Sequence, residues 1–386
     1  MPPAAAAFFA ATPIGAWPWE RPPAPVARRT HRPSALAVLQ GRLRGVGGVV
    51  LKLMPLPPDA PDAVASAERE LIGATVATRL AAVLGLPTVA PLLHTARCAS
   101  VAAGFGPRSG LPVQVFVYAR VPDASPLCDV ALLPPAARPR LVLLGLLAQL
   151  AATYAVFAQA GLAHVDNHLH NLLVQPTDAD GYWLLDVDGS PGAVLRVPVF
   201  GFRVWLIDWD GACKALSPQS DGPAVLGLEP RFTTTDTPVA HTPGAAVGQH
   251  RWNPGEDWVR LGLLLCDGAR FDRRALRRLL SPAELRSLFG TPVVFGAPLA
   301  TGRRGERYSF LCTGEDVWHC APVAVPPGCP APLDALRALL NFDDVSAELR
   351  RLAAHQPPTC TARAPAAAVV GEPFVGPATT PNVARS

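Results

Sequence analysis

The hydrophobic pattern of the first third of the chain indicates a small block of strands with one helix. Apolar runs at 35–40 and 49–54 flank a glycine-bearing segment at 41–48, and the run at 111–121 has the character of a buried strand. Residues 63–84 carry apolar side chains at helical spacing, with acidic residues in the first turns. The pattern therefore predicts a β-rich N-terminal block.

The second part of the chain is predicted to be mainly helical. A long apolar helix at 139–160 leads into a histidine-rich loop at 164–171. Two strand pairs are predicted next, at 171–175, 182–186, 193–199 and 203–207. Further helices are predicted near 256–266, 271–289 and 332–354. A β-rich block joined to a larger helical block predicts two lobes, and ligands preferentially bind in the cleft between such lobes.

Composition indicates that most of the chain is folded. The 386 residues are 49% hydrophobic and 17% charged, which argues against a disordered or highly charged chain. The 44 prolines must partly collect outside packed elements. Residues 1–33 and 356–386 are rich in Pro and Ala without periodicity, so both segments are predicted to be disordered tails. The folded part then divides into 34–121 and 122–355.

Charge and hydropathy give no indication of a nucleic-acid or membrane partner. The formal net charge is +4, so we expect no nucleic-acid partner. The most membrane-like segment, 141–163, contains polar residues and runs into the histidine-rich loop, which favours a buried helix. Eight cysteines without a C-x-x-C pair argue against a disulfide framework or a zinc ribbon. No secretory signal is evident, so we expect an intracellular protein.

The most informative string is HVDNHLHN at 164–171, which fits the pattern H-x-D-x-H-x-x-N. Phosphoryl transfer needs a carboxylate that accepts the hydroxyl proton and oxygen ligands for the metal ions that neutralise the phosphates. Asp166 would be that base, and Asn171 a neutral metal ligand from the same loop. The string resembles the catalytic loop of the protein-kinase-like superfamily, in the form found in small-molecule kinases and in kinases of large DNA viruses.

The resemblance implies roles for two histidines of this loop. His168 stands where many protein kinases place a lysine, and it would contact the transferred phosphate. His164 would brace the loop. A metal-hydrolase interpretation of His164, Asp166, His168 and His170 is the alternative for this string.

Two later segments offer the aspartate that would complete the metal site. The distance from Asp166 that is usual in protein kinases favours Asp186. The local sequence favours Asp208, which follows the apolar run 204–207. This context resembles the kinase motif D-F-G and the I-D-W form of small-molecule kinases. The string VPVFGFRVWLIDWDGA also resembles the corresponding stretch of kinases of nucleocytoplasmic large DNA viruses, which carry an inserted hairpin. We therefore predict Asp208 as the metal ligand and place Asp186 and Asp188 in the hairpin turn. Asp210 stands where D-F-G has glycine.

Lysine is rare in this chain, which draws attention to Lys52. All 34 basic residues are arginines except Lys52 and Lys214, a bias typical of a GC-rich coding sequence. The context VVLKL is similar to the strand on which kinases carry the lysine that contacts the α- and β-phosphates. A buried ammonium group needs a fixed counter-charge, which we expect from Glu70 on the next helix, with Glu68 as the alternative.

The string NPGEDWVRLG at 253–262 resembles the D-x-W-x-x-G helix of protein kinases and a related form in the viral kinases. Asp257 and Gly262 occupy the matching positions. By this resemblance Asp257 would accept hydrogen bonds from backbone amides of the catalytic loop and fix its shape. A helix cap on the surface is the alternative interpretation.

The resemblance also implies a phosphate-covering loop and a hinge that contacts the adenine. Backbone amides around Gly45 and Gly47 could approach the phosphates, but the segment does not spell G-x-G-x-x-G and a plain hairpin turn explains it equally well. The hinge would contain Tyr118, Ala119 and Val121.

The resemblance covers roughly residues 35–355 and implies an α+β, bilobal protein-kinase-like fold. Residues 34–121 would form the small β-rich N-lobe and 122–355 the larger, mainly helical C-lobe. ATP and magnesium are the implied cofactors, and a Ser/Thr side chain of a protein is the implied acceptor. A kinase of this viral type would lie in the host cytoplasm or the virion.

Two rival functions stay open at this point. The first is a small-molecule kinase that phosphorylates an alcohol, and the second is a nucleotide-binding pseudokinase without turnover. The metal-hydrolase interpretation would leave Lys52, Asp208 and Asp257 without a role.

Overall fold

The protein is described by a computed structural model. The residues it describes are 17, 19–25, 37–59, 61–98, 112–127, 138–164, 167, 169–187, 194–209, 213–214, 255–267, 276, 278–290 and 328–364. They have an α+β architecture with a β-rich N-terminal region and helices that follow it. The α+β class and this order of elements are confirmed.

The N-terminal region is built around a five-stranded antiparallel sheet. Its strands are β1 (Trp19–Pro25), β2 (Ala37–Leu43), β3 (Gly47–Pro55), β4 (Leu92–Cys98) and β5 (Val113–Ala119). Their order across the sheet is β1-β2-β3-β5-β4. Strand β3 is therefore central and pairs along its length with both β2 and β5.

Successive side chains of a strand point to opposite faces, which gives this sheet two different apolar faces. The first face carries a cluster formed by Trp17, Leu39, Leu43, Val49, Leu51, Leu53, Val113, Val115 and Val117. The intervening residues Met54, Phe116 and Tyr118 belong to the main core instead. Lys52 lies directly opposite Phe116 in the ladder and shares this second face.

Helix α1 (Pro61–Leu84) packs on the second face of the sheet. Its buried stripe follows the i, i+3, i+4 spacing of one helix face. The stripe consists of Ala67, Glu70, Ala74, Ala77, Ala81 and Leu84. Glu70 is the charged member of this stripe, and the small alanines around it let the helix approach the sheet closely.

Helix α2 (Pro139–Gln159) forms the centre of the main core. Its length and composition would let it cross a membrane, which alone is weak support for a span, and 83% of its most apolar stretch is buried inside the structure. The helix packs against strands and helices that follow it in the chain. Burial of this kind is typical of the core helix of a folded domain.

Short strands before and after α2 build three small sheets. They are β6 (Ser125–Pro126), β7 (Leu162–Ala163), β8 (Leu172–Pro176), β9 (Gly181–Asp186), β10 (Val194–Val199), β11 (Phe202–Leu206) and β12 (Cys213–Lys214). Strand β8 pairs with β11, and β9 pairs with β10. The β9–β10 hairpin is thus inserted between the two strands of the β8–β11 pair.

Four helices complete the described part of the chain. They are α3 (Glu256–Asp267), α4 (Pro282–Phe289), α5 (Pro332–Leu340) and α6 (Asp343–His355). Helix α4 begins with a capping box, in which Ser281 and Glu284 satisfy each other's backbone amides, and with a proline in its first turn. Helix α5 packs against α2.

The prediction of disordered tails at 1–33 and 356–386 is wrong for two stretches. Strand β1 pairs with β2, and the Trp17 side chain is only 3% exposed against the first face of the sheet. The three prolines of β1 are tolerated because β1 is an edge strand. Strand β13 (Thr361–Arg363) pairs in parallel with β9, and Ala362 is fully buried.

Two element boundaries also differ from the sequence prediction. The helix predicted over 332–354 is divided into α5 and α6 at Asn341–Phe342. The glycine-bearing turn predicted over 41–48 comprises only residues 44–46 in the structure, because β2 and β3 extend into the predicted range. The predicted helix at 271–289 is described only in part, and α4 covers its last turns.

Candidate active site

Lys52 contacts two carboxylates that are remote from it in sequence. Its Nζ atom lies 2.9 Å from Oε2 of Glu70 and 2.5 Å from Oδ1 of Asp208. The Lys52 side chain is 8% exposed and that of Glu70 is fully buried, whereas the Asp208 side chain is 31% exposed. Lys52 is thus held by a buried carboxylate on one side and by a partly solvent-accessible one on the other.

Glu70 connects three different segments of the chain. Its Oε1 atom accepts a hydrogen bond from the Tyr118 hydroxyl, and its Oε2 atom accepts one of 2.8 Å from the backbone amide of Trp209. Together with Lys52, these donors satisfy a carboxylate that would be costly to bury alone. Glu68 is exposed on the same helix, so the partner of Lys52 is Glu70.

Asp208 lies two residues after the end of β11 and adopts a backbone conformation that is rare for residues other than glycine. Its φ angle is +68°, in the left-handed region. Non-glycine residues persist there only where the surroundings hold them, and such strain clusters at functional sites. Asp123 is the other non-glycine residue with positive φ among those described.

The backbone next to Asp208 is anchored on both sides. Leu206 donates to the carbonyl of Thr88 and accepts from the amide of Ala90, which follow the end of α1. On the other side, Ile207 donates a 3.0 Å hydrogen bond to the carbonyl of Asn171. The segment after helix α1 and the segment before β8 therefore both fix the position from which Asp208 projects.

The buried side chain of Gln149 in α2 pairs with the outer edge of β11. Its Nε2 atom donates to the carbonyl of Phe202 at 2.9 Å, and its Oε1 atom accepts from the amide of Val204 at 3.1 Å. One side-chain amide therefore makes the two hydrogen bonds that a neighbouring strand would make. The only sequence signal for this role is a polar residue in an apolar helix.

The histidine-rich loop is anchored by Asp257 of α3. The Asp257 carboxylate accepts a 2.7 Å hydrogen bond from the backbone amide of His164, and the backbone carbonyl of Asp257 accepts a 2.6 Å hydrogen bond from Nδ2 of Asn167. The backbone contact expected from the resemblance is therefore present. Asp166 and His168 lie outside the described residues.

The imidazole of His164 contacts the segment that carries Asp208. Its Nε2 atom lies 3.0 Å from the carbonyl oxygen of Ile207, and its ring centroid lies 4.6 Å from that of Trp209. His164 is fully buried. The ring thus joins the start of the histidine-rich loop to both neighbours of Asp208.

Tyr154 lies beneath the same loop as a neutral hydrogen-bonding group. Its hydroxyl accepts a 3.2 Å hydrogen bond from Asn167. Complete burial raises the pKa of Tyr154 well above its ordinary value, and the charge of nearby Asp257 raises it further, although the hydrogen bond from Asn167 acts in the opposite direction. The phenol therefore remains protonated at neutral pH.

Asn171 lies at the same end of the β8–β11 pair as Asp208. It immediately precedes β8, its carbonyl pairs with Ile207, and it is 4% exposed. Asp186, the rejected alternative, is the last residue of β9 and pairs with Val194 in the inserted hairpin. Asp188 and Asp210 lie outside the described residues.

Gly45 lies in the tight turn between β2 and β3, and Gly47 is the first residue of β3. Both have positive φ angles, +74° and +99°. The amide of Val46 donates to the carbonyl of Leu43, which closes the turn. The described geometry is that of a short hairpin.

The residues assigned to the hinge lie at the end of β5. Ala119 pairs with Val49, and Val121 follows it; both are half-buried. Tyr118 is 8% exposed and its hydroxyl donates to Glu70, a contact that the sequence did not indicate. Its side chain therefore acts on the carboxylate beside Lys52, a role different from the adenine contact assigned to it.

Two of the four residues in the metal-hydrolase interpretation, Asp166 and His168, lie outside the described residues. Within the described ranges, no group of three or more His, Cys, Asp and Glu residues is placed to hold a metal ion.

No protein-family model matches this chain, and no curated protein matches it.

Proposed function

We propose that this chain is an ATP- and magnesium-dependent phosphotransferase of the protein-kinase-like superfamily, with a Ser/Thr hydroxyl of a protein as the acceptor. One observation carries the proposal: Lys52 contacts both Glu70 and Asp208, at 2.9 Å and 2.5 Å. These residues come from a central strand, from the helix that packs on it and from the end of β11. The kinase resemblance requires this convergence. Lys52 and Asp208 are predicted on separate sequence signals, and Glu70 is predicted as the counter-charge of Lys52.

The residues present fit magnesium-bound ATP in their chemistry. Asp208 offers a partly exposed carboxylate, and Asn171 at the same strand end offers an amide oxygen. Hard oxygen ligands of this kind suit magnesium. Lys52 supplies a positive charge beside them, and the buried Glu70 holds that charge in place.

Magnesium-bound ATP would supply the phosphoryl group and much of the charge neutralisation. Asn171 and Asp208 would hold the metal, and Lys52 would hold the phosphates. Asp166 would accept the proton of the acceptor hydroxyl, and His168 would contact the transferred group. Asp257 and His164 would keep the loop that carries Asp166 in register with Asp208.

A bilobal arrangement is part of the same proposal. The five-stranded sheet and α1 would form the N-lobe, and α2, the small sheets and the later helices the C-lobe. The backbone bridge between Val89 and Leu206 connects the segment after α1 to the strand that carries Asp208. The proposed nucleotide cleft would lie on the side where Lys52 and Asp208 meet, with Ala119 and Val121 at its hinge.

The short hairpin at Gly45 and Gly47 favours one alternative, a nucleotide-binding pseudokinase. A phosphate-covering loop is normally richer in glycine and longer, as in G-x-G-x-x-G. A small-molecule kinase is the other alternative, because its catalytic loop shares the H-x-D-x-H form.

Phosphoryl transfer from γ-labelled ATP tests the proposal. The purified chain would be offered a generic basic protein and a panel of small alcohols, with and without magnesium. We expect magnesium-dependent label on protein Ser/Thr, lost in Asp166→Asn while nucleotide affinity stays within about threefold of wild type. Label on an alcohol alone would identify a small-molecule kinase. Nucleotide binding without transfer would identify a pseudokinase.

A further inference from the structure

Tyr118 places a hydroxyl group on the second face of the sheet, the face that also carries Lys52. It lies in β5, two positions from Phe116, and both side chains belong to the main core. A buried tyrosine hydroxyl normally finds a hydrogen-bond partner, because leaving it unpaired is costly. Here the partner is a carboxylate, Oε1 of Glu70.

The contacts of Glu70 are divided between its two oxygen atoms. Oε2 receives Lys52 at 2.9 Å and the backbone amide of Trp209 at 2.8 Å. Oε1 receives the hydroxyl of Tyr118. The tyrosine therefore fixes the rotation of the carboxylate about its last bond and directs Oε2 towards the lysine.

We propose that Tyr118 is a positioning residue, which holds Glu70 in the orientation that presents Lys52 to the phosphates. The inference rests on the proposed function for its consequence in catalysis. The structural part of the inference is that Tyr118 fixes the position of Lys52 through Glu70, and this part can be measured without any nucleotide.

The effect of removing the hydroxyl follows from burial. In Tyr118→Phe the ring still fills its place, but Oε1 of the fully buried Glu70 loses the hydrogen bond from the Tyr118 hydroxyl. The carboxylate then rotates to form hydrogen bonds with other donors or with water, and its contact with Lys52 weakens. Lys52 becomes more accessible and less precisely placed.

Lysine acylation measures this change directly, because the chain has only two lysines. Trace labelling with an acetylating reagent, followed by peptide mass spectrometry, gives the rate at Lys52 relative to Lys214 in one sample. We expect this ratio to rise by about threefold or more in Tyr118→Phe, as a charge-assisted hydrogen bond is lost. Where transfer is measured, KM for ATP should rise about tenfold, with a smaller change in kcat.

Tyr182→Phe is the matched control. It also removes a buried tyrosine hydroxyl, one that donates to the carbonyl of Gln356 at 3.1 Å, far along the chain from Lys52. A merely structural role for Tyr118 predicts a lower melting temperature in both variants with the labelling ratio unchanged in both. That result would overturn the inference, and so would an equal rise of the ratio in Tyr182→Phe.

The failure of this inference and that of the proposed function are distinguishable. Increased Lys52 labelling in Tyr118→Phe with no nucleotide binding in wild type would uphold the positioning role and reject the phosphotransferase. Unchanged labelling and unchanged KM in Tyr118→Phe, with wild-type transfer intact, would reject the positioning role alone.

Discussion

The Nζ atom of Lys52 and the Oδ1 atom of Asp208 lie 2.5 Å apart, although 156 positions separate the two residues in sequence. Lys52 comes from the middle of a buried sheet, and Asp208 follows a strand whose edge is fixed by Thr88, Ala90 and Gln149. Glu70 contacts Lys52 and also the amide next to Asp208. The pair is therefore held from both sides.

Removal of Lys52 should destabilise the protein through Glu70. In Lys52→Met the fully buried carboxylate loses its cationic partner, and we expect a loss of about 3 kcal/mol in the free energy of unfolding. The double variant Lys52→Met/Glu70→Gln should recover part of this loss, because a neutral amide is less costly to bury. Urea unfolding of both single variants and the double variant gives the coupling, which we expect to exceed ~1 kcal/mol. Strictly additive losses would contradict the contact.

Asp257→Ala should release the histidine-rich loop from α3 without removing any group from the proposed phosphate site. The buried amide of His164 loses its acceptor, at a cost of roughly 1–3 kcal/mol in unfolding free energy. Phosphoryl transfer should fall sharply because Asp166 is no longer held, whereas nucleotide affinity should stay within about threefold. Transfer at the wild-type rate would show that this anchor is dispensable.

Gly85→Ala should reveal the docking of the C-terminal strand against the end of α1. Gly85 has a φ of +71°, and an added Cβ would lie 2.5 Å from the carbonyl oxygen of Thr361. Gly201→Ala is the control, since Gly201 has a φ of +74° but its nearest neighbour would be at 3.8 Å. Left-handed strain should cost each variant about 1–2 kcal/mol, and the clash should cost Gly85→Ala roughly 1–3 kcal/mol more. If the two variants lose equal free energy of unfolding in denaturant, Thr361 is not docked against the end of α1.

Acid should weaken the ion pairs by which Arg138 and Arg140, at the start of α2, contact Glu348 of α6 and Glu284 of α4. Hydrogen bonds from Arg351 and Arg138 lower the pKa of Glu348 from 4.5 to about 2, and Arg140 lowers that of Glu284. A carboxyl group with a lowered pKa stabilises the fold above its ordinary pKa and loses that contribution as the pH falls through the folded value. Stability should therefore decline between about pH 4.5 and pH 2. Glu348→Gln should flatten this part of the curve in thermal unfolding, and an unchanged slope would contradict the assignment.

Much of the fold could be predicted because the spacing of apolar residues within each strand and helix is a local signal. Strands β3 and β5 and helices α1 and α2 follow directly from apolar runs and helical spacing. Strand β1 was missed because its prolines resemble a disordered segment, and edge pairing overrides that signal. Periodicity does not encode pairing between distant strands, so the insertion of the β9–β10 hairpin within the β8–β11 pair was indicated only by the resemblance.

The candidate site was predictable where a residue type was unusual for its surroundings. Lys52 was identifiable because lysine is rare here, and Glu70 because a buried ammonium group needs a carboxylate, which the next helix could supply. Tyr118 was placed at the adenine because β5 leads into the hinge, yet a phenol in an apolar strand already signalled a buried hydrogen-bond partner. The role of Gln149 could not be predicted, since it depends on where β11 passes α2.

Equilibrium binding of ATP, measured by calorimetry with and without magnesium, tests the central claim most directly. Wild type should bind ATP in a magnesium-dependent way, Asp208→Asn should lose the magnesium dependence, and Lys52→Met should bind at least about tenfold more weakly. Failure of folded wild-type protein to bind ATP in magnesium, or equal affinity in all three proteins, would contradict the account.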